Sequence, residues 1–307
     1  MRLIYVVLCL LLFGGIVILI TSQADQNSFE TYFCDVGQGD ATLFQISNTQ
    51  VLIDGGANDS VLKCLEAHMP WGDKTIEVII LTHPDKDHYG GLMYVLNYYS
   101  VLNYFSVPVL KANQDFEALI DKLESLSLTQ GLVVSCLFSG DKVYPNRQKY
   151  SNWYLTIIRP NKDWWLHSVD KDNQFSEELC FKEVVNDNLD TNEMSLVIHN
   201  KYIDFDVLIN GDAESPTQIS QIKSGLLPLN VEISTAPHHG SKDGISESWL
   251  DLISPEVVIF SVGESNTYGH PHPEVQQLLD ENQIKYIRTD KLGTISVVSD
   301  GNMWNFK

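Results

Sequence analysis

Positive charge is scarce in this 307-residue chain: 20 Lys and Arg stand against 40 Asp and Glu, a formal net charge of −20. A protein that grips a nucleic-acid backbone sets clustered Lys and Arg against the phosphates, and those contacts supply most of its non-specific affinity. No such cluster occurs along the chain. The balance therefore argues against a tight backbone binder, leaving only basic patches assembled in three dimensions; surface acids also keep an exported protein soluble. Low-complexity linkers, internal repeats and charge blocks are missing too. The roughly 280 residues that follow an apolar leader make one large domain or two small ones. None of the five cysteines forms a Cys-x-x-Cys pair, which excludes a zinc knuckle. Beyond Ile20 no apolar run is long enough for a membrane span, so a many-helix channel is not supported.

What is present begins with Met1-Arg2 and eighteen uncharged residues, Leu3 to Ile20. That length just crosses a bilayer, while the basic start and the small residues of Ser22-Gln23-Ala24 suit a secretory signal. Residues 1–24 are expected to be a signal peptide or an N-terminal membrane anchor through residues 3–20, and 25–307 an exported domain. Cys9 lies inside the leader. Cys34, Cys64, Cys136 and Cys180 are even in number in an oxidising compartment, so disulfides are permitted, with pairing unreadable from sequence. Cys34 and Cys136 fall in strand-like runs, where buried free thiols are common.

Periodicity predicts strands at Phe29 to Val36, Thr42 to Ile46, Val51 to Asp54 and Ile76 to Thr82, then helices at Val61 to Met69 and Tyr89 to Tyr99. Leu102 to Leu110 reads as one or two strands, Phe116 to Leu126 as an amphipathic helix and Leu132 to Phe138 as a strand. Trp153 to Arg159 and Met194 to His199 are strands around an irregular segment, Asn161 to Leu189, that holds Trp164-Trp165 and His167. The Trp pair is either packing or a lid or stacking platform over a substrate; His167 reads as a surface or packing residue. Val207 to Asp212, Val231 to Ala236, Glu256 to Val262, Ile284 to Thr289 and Gly293 to Val298 are further strands, with helices at Ala213 to Lys223 and Ser246 to Leu252. Strands followed by helices, twice over, predict an α/β, four-layer αββα sandwich with two sheets face to face.

The chemistry concentrates in Thr82-His83-Pro84-Asp85-Lys86-Asp87-His88-Tyr89-Gly90-Gly91, at the end of a buried strand. Imidazole nitrogen and carboxylate oxygen are good ligands for zinc or manganese. On a tight loop His83 and Asp85 can converge on one cation while Asp87 and His88 face a neighbour. A capping turn needs one acid and would not also recruit two histidines and a Gly-Gly.

The pattern His-x-Asp-x-Asp-His-x-Gly-Gly resembles the signature of the metallo-β-lactamase superfamily, with Asp85 where the common form has a histidine. That departure resembles the extracellular hydrolase domain of ComEC-type competence proteins. Phe33-Cys34-Asp35-Val36-Gly37-Gln38-Gly39-Asp40-Ala41-Thr42, Leu52-Ile53-Asp54-Gly55-Gly56, Asn210-Gly211-Asp212, Pro237-His238-His239-Gly240-Ser241 and Tyr268-Gly269-His270-Pro271 match further motifs of that branch in the same order. The resemblance spans about residues 29 to 300 and is far more specific for fold and metal site than for substrate. It implies a metallo-β-lactamase fold and two divalent metal ions, Zn or Mn, with Asp212 bridging them. It also implies an open first site, because the branch lacks the family's third histidine, and His270 beside the metals to contact a phosphate or protonate a leaving group. An alternative role for Asp212 is the N-cap of the following helix. His238 is expected to complete the second site with Asp87, His88 and Asp212, and His239 to orient a ligand; His270 as a ligand is the rival to its acid role. His272 reads as structural, and Arg288 and Lys291 as phosphate contacts.

These expectations add to an exported binuclear hydrolase in which a water activated between two cations attacks a phosphorus or carbonyl centre. Phosphodiester cleavage leads, by a nuclease-like or cell-envelope enzyme with Asp87, Asp212 and His270 as its catalytic groups. Hydrolysis of amides or esters such as β-lactams and a catalytically silent binding module are the alternatives. The partner is a phosphodiester, nucleic acid included.

Overall fold

Ile76 to Leu81 is apolar at every position but one because both of its faces are covered: Val78 and Ile80 point into one core, Ile79 and Leu81 into another. The same alternation runs through Phe29, Phe33 and Phe44 on one side and Tyr32 and Leu43 on the other. In the computed structural model, which describes residues 28–108, 111, 113–168 and 190–307, this pattern builds two sheets packed face to face.

The first half of the chain runs β1 (Phe29–Phe33), β2 (Thr42–Ile46), β3 (Thr49–Ile53), α1 (Ser60–His68), β4 (Thr75–Leu81), α2 (Lys86–Tyr89), α3 (Leu92–Tyr98), β5 (Ser100–Ser106), α4 (Gln114–Gln130) and β6 (Val133–Cys136). There follow β7 (Lys142–Val143), β8 (Trp153–Arg159), α5 (Lys162–Ser168), β9 (Val197–Tyr202), β10 (Phe205–Ile209), α6 (Ser215–Ser224), β11 (Ile233–Thr235) and α7 (Glu247–Ile253). The chain closes with β12 (Val257–Phe260), α8 (Pro273–Glu281), β13 (Lys285–Arg288), α9 (Thr289–Leu292), β14 (Ile295–Ser299) and β15 (Trp304–Phe306). Among the described residues the sheets are ordered β15-β14-β1-β2-β3-β4-β5-β6 and β13-β12-β11-β10-β9-β8-β7. One core lies between them, one beneath α1, α3 and α4, and one beneath α6, α7 and α8. This is the expected four-layer αββα sandwich.

Strands β3, β4 and β5 are parallel, as are β10, β11 and β12. Their carboxyl ends deliver the loops that carry the candidate ligands, the usual place for a site in such sheets.

Several local expectations are corrected. The helix expected at Tyr89 to Tyr99 is two, α2 and α3, broken at Gly90-Gly91: a Cβ on Gly91 would lie 1.9 Å from the Gly55 carbonyl oxygen, and Gly91 donates its N–H to Gly56. The glycines let this loop lie directly on the 55–57 turn. Asp212 caps no helix; α6 starts at Ser215 with Glu214 in the cap position. Cys34 is not a free thiol but is bonded to Cys64 of α1. Part of the segment expected to be irregular is helical, as α5, and packs Trp165 into the inner core against Phe138, while Trp164 covers Arg159. Packing is thus the role of Trp165, while Trp164 is left partly exposed. The leader with Cys9, Cys180, the side chain of His167 and most of Asn161 to Leu189 lie outside the described residues. Among the described residues no helix is long and apolar enough to cross a membrane.

Candidate metal centre

Leu81 ends β4 and the chain turns at once, placing His83 and His88 on one side of the loop with their rings 4.1 Å apart. Both are fully buried. Asp54, at the end of β3, fixes them: it accepts from His88 Nδ1 at 2.9 Å, from Thr82 N at 2.8 Å and from Thr82 Oγ1 at 2.8 Å. With its proton committed to Asp54, the Thr82 hydroxyl accepts from His83 Nδ1 at 3.1 Å. Both imidazoles therefore present Nε2 in the same direction, toward Asp212 from the opposite sheet. Asp212 Oδ1 is 3.2 Å from His88 Nε2, and Oδ2 is 3.6 Å from His83 Nε2.

Pro237-His238-His239-Gly240 follows β11 as a 3₁₀ turn in which both histidines adopt the left-handed region, φ 48° and 55°. Each such non-glycine residue costs about 1–2 kcal/mol, a strain that clusters at functional sites. The turn points the two rings differently. His239 is buried, gives Nδ1–H to the Ser261 carbonyl at 3.0 Å with Asp40 beside it at 3.3 Å, and turns Nε2 toward Asp87 (3.4 Å) and Asp212 Oδ1 (3.7 Å). His238 is half-buried, with Nδ1 held by Glu214 at 2.7 Å and Nε2 facing Asp212 Oδ2 at 3.6 Å. Ser241 donates to the same Glu214 oxygen at 2.6 Å.

Ligand atoms within 4.8 Å of one another form the groups His83, His88, Asp212; Asp87, His88, His239; Asp40, Asp54, His88; and Asp40, Asp212, His239. The structure thus brings His83, Asp87, His88 and Asp212 together and turns Nε2 of both His238 and His239 toward Asp212, at 3.6 and 3.7 Å, with His239 the buried one of the two. Asp85 stands apart: Lys111 Nζ at 2.7 Å and Thr191 Oγ1 at 2.6 Å both bind its Oδ1, and an ammonium group is a strong partner for a half-buried carboxylate. Asp40 and Asp54 belong to the motifs at 33–42 and 52–56, but nothing in the sequence gives them the task of flanking Nδ1 of His239 and His88. His270 lies on the open side, its ring 5.5 Å from that of His238 and 6.4 Å from that of His239. His272 pairs with Glu274, a structural role, and Arg288 and Lys291 are both held by Asp290.

The donor set fits cations. Nε2 of His83, His88 and His239 and Oδ1 of Asp212 are buried with no hydrogen-bond partner among the described residues, though each faces the same small space. Buried polar atoms are rarely left so unless something else satisfies them. Electrostatics agree. Burial alone would raise Asp212, yet His88, His239 and His83 hold it far below the ordinary carboxylate value. Burial would lower His88 and His239, but Asp212 with Asp54, and Asp212 with Asp40, hold both well above the ordinary imidazole value. For Asp87, burial is outweighed by His239 and His88, which depress it. His270 goes the other way: burial, then the charges of His239 and His238, pushes it down to about 4.

A cation entering this site displaces protons from His88 and His239, so binding is expected to release protons and to weaken by about tenfold per pH unit per proton displaced as pH falls from 8 to 6. In the metal-free protein the sign is opposite for stability. The raised histidines contribute fully below their ordinary 6.5 and lose that contribution as pH rises through their folded values; Asp212 contributes above its ordinary 3.8 and loses it as pH falls. Titration calorimetry with zinc in two buffers of different ionisation enthalpy measures the protons released; affinity independent of pH over this range would contradict the site.

A family model described as the metallo-beta-lactamase superfamily matches residues 34–264. Among curated proteins, the chain is 24% identical over 289 residues to ComE operon protein 3 of Bacillus subtilis, covering 87% of this chain and 32% of that protein. It is 26% identical over 288 residues to Recombination protein 2 of Haemophilus influenzae, covering 91% and 30%, and 23% identical over 290 residues to Competence protein ComA of Neisseria gonorrhoeae, covering 93% and 34%. The chain therefore spans about a third of the length of these relatives. Among solved structures, the metallo-beta-lactamase fold protein YhfI from Bacillus subtilis superposes with a TM-score of 0.52 at 10% identity, over 89% of this chain and 100% of that one. Igni18, a metallo hydrolase from Ignicoccus hospitalis, gives 0.50 at 12% identity, over 88% and 98%.

Proposed function

The chain belongs to the metallo-beta-lactamase superfamily, and from that premise we propose that it is an exported hydrolase holding two divalent cations, zinc or manganese, and cleaving phosphodiesters. The observation that carries this reading is the convergence of three buried, otherwise unpartnered Nε2 atoms on the carboxylate of Asp212. His83 faces one oxygen of Asp212, while His88 and His239 face the other, so the carboxylate can span two cations and offset their repulsion. Asp87 joins the side of His88 and His239; Asp85, released from Lys111 and Thr191, would join that of His83. Bound there, the cations supply Lewis acidity and an activated water.

The chain's own residues do the rest. Asp54 holds the imidazole of His88 by Nδ1, and the Ser261 carbonyl, with Asp40 beside it, holds that of His239, which keeps each Nε2 aimed inward. His270, beside His238 and His239 on the open side of the centre, is placed to donate a hydrogen bond to a phosphate oxygen. A carboxylate at position 85 makes this a harder, more oxygen-rich donor set than a histidine there would, which favours manganese alongside zinc. Phosphodiester over amide rests on the competence and recombination proteins among the relatives. Export is supported by the Cys34–Cys64 disulfide, a bond that persists in oxidising compartments.

The test is metal content of the purified protein followed by hydrolysis of a chromogenic phosphodiester with added manganese or zinc. Two equivalents of metal are expected, with hydrolysis falling at least about 10³-fold in His88→Ala. A metal-free protein, or one that opens a β-lactam and spares the diester, would overturn the reading.

A further inference from the structure

Beyond the metal centre stands an aromatic ring for which neither fold nor metal site has a use. Tyr268 is 70% exposed, yet its ring lies nearly parallel to that of His270, 25° between planes and 5.8 Å between centroids. His270 in turn lies 28° from the plane of His239 at 6.4 Å. Three rings therefore step from a buried candidate ligand, His239, to a tyrosine open to solvent.

The loop holding this ring is fixed. Asn266 Nδ2 donates to the carbonyls of Gly263 and His270 at 3.0 Å each, and Asn266 Oδ1 accepts from His270 N at 3.0 Å. His272 N donates to Gly240 at 2.8 Å, tying the loop's far end to the histidine turn. Gly269, at φ +78° with open space where a Cβ would stand, makes the tight bend between Tyr268 and His270. A tyrosine left in water on a preorganised loop loses little conformational freedom when a flat partner stacks on it.

Charge narrows the partner. The cations around the centre are engaged: Lys111 with Asp85, Lys242 with Glu274, and Arg288 and Lys291 with Asp290. A net charge of −20 opposes binding through a polyanionic backbone. A base beside the bond being cut offers a nucleic acid affinity that does not depend on charge. We propose that Tyr268 is a stacking platform for the nucleobase flanking the scissile phosphodiester, which makes the substrate a single strand or strand end held by its base. The inference rests on the phosphodiesterase reading above and names its substrate class. It entails tolerance of sequence, because every base has a π-face, and a shallow salt dependence, because few phosphates are neutralised.

The experiment uses the manganese-loaded protein and three substrates: a single-stranded oligonucleotide, the same strand with abasic sugars at the cleaved position, and poly(glycerol phosphate). Tyr268→Ala is expected to raise KM for the base-bearing strand about tenfold to a hundredfold, the effect of removing a stacking aromatic, with kcat and metal content little changed. Tyr268→Phe should restore KM, and the abasic strand should be insensitive to the substitution. Equal losses on both strands, or none on either, would overturn the platform. Cleavage of poly(glycerol phosphate) by the unsubstituted protein with no cleavage of either strand would overturn it too, while the phosphodiesterase reading stood. Failure on all three diesters would remove that reading and the platform with it.

Discussion

Asp212→Asn is expected to lower kcat/KM at least about 10³-fold, roughly 4 kcal/mol of transition-state stabilisation, and to leave the purified protein with less than two equivalents of metal. The amide matches the carboxylate in shape, so the backbone bond from Asp212 N to Ser195 Oγ at 3.1 Å survives and the fold should persist. What is lost is charge. Asp212 is 3% exposed and faces Nε2 of His88, His239, His83 and His238 within 3.7 Å. A neutral amide there cannot offset two dications, and its NH₂ would compete with them for the imidazole lone pairs. In the metal-free protein His88 and His239 also lose their largest charge partner, so both should shed protons nearer the ordinary histidine value. Metal analysis, steady-state kinetics and a melting curve in the presence of chelator separate a lost site from a lost fold. Full metal occupancy with rates within threefold of the parent would remove Asp212 from the centre of the mechanism.

The fold was legible because strand patterning is local. A run such as Ile76 to Leu81 declares a strand covered on both faces, and two such sheets with amphipathic helices leave little choice but to stack. Short elements escaped, among them β7 with two residues and β15 with three, because their hydrogen bonds depend on neighbouring strands more than on their own residues. That His83, Asp87 and His88 would share one cluster was also legible, since two histidines and two acids within six positions have few other uses. Their partners were not. Asp54 reaches His88 across 34 residues, and Thr191 reaches Asp85 across 106; such distances leave no trace in spacing. His238 and His239 could not be told apart from sequence because both sit in a left-handed turn, where strand alternation no longer says which ring points inward.

Removing the Cys34–Cys64 bond is expected to cost about 3–4 kcal/mol, since the cysteines are 30 residues apart and the open chain regains the entropy of a loop that long. For a domain of this size that lowers the melting temperature by roughly 5–7 °C. The bond sits where stability and site meet. Cys34 follows β1 and donates its backbone N–H to Ala41, closing the loop that carries Asp40; Cys64 anchors that loop to α1. Asp40 in turn stands 3.3 Å from His239 Nδ1 and donates its own N–H to the Asp87 carbonyl at 3.2 Å. Loosening the loop therefore releases two of the groups that aim ligands inward, so zinc affinity should fall as well, by less than the 10–100-fold that loss of an orienting partner outright produces. Both cysteines are buried, so the clean comparison is the Cys34→Ala, Cys64→Ala double variant, measured by calorimetric melting with and without metal. An unchanged melting temperature would mean that the sandwich alone holds the Asp40 loop in place, and that the disulfide contributes nothing to the metal centre.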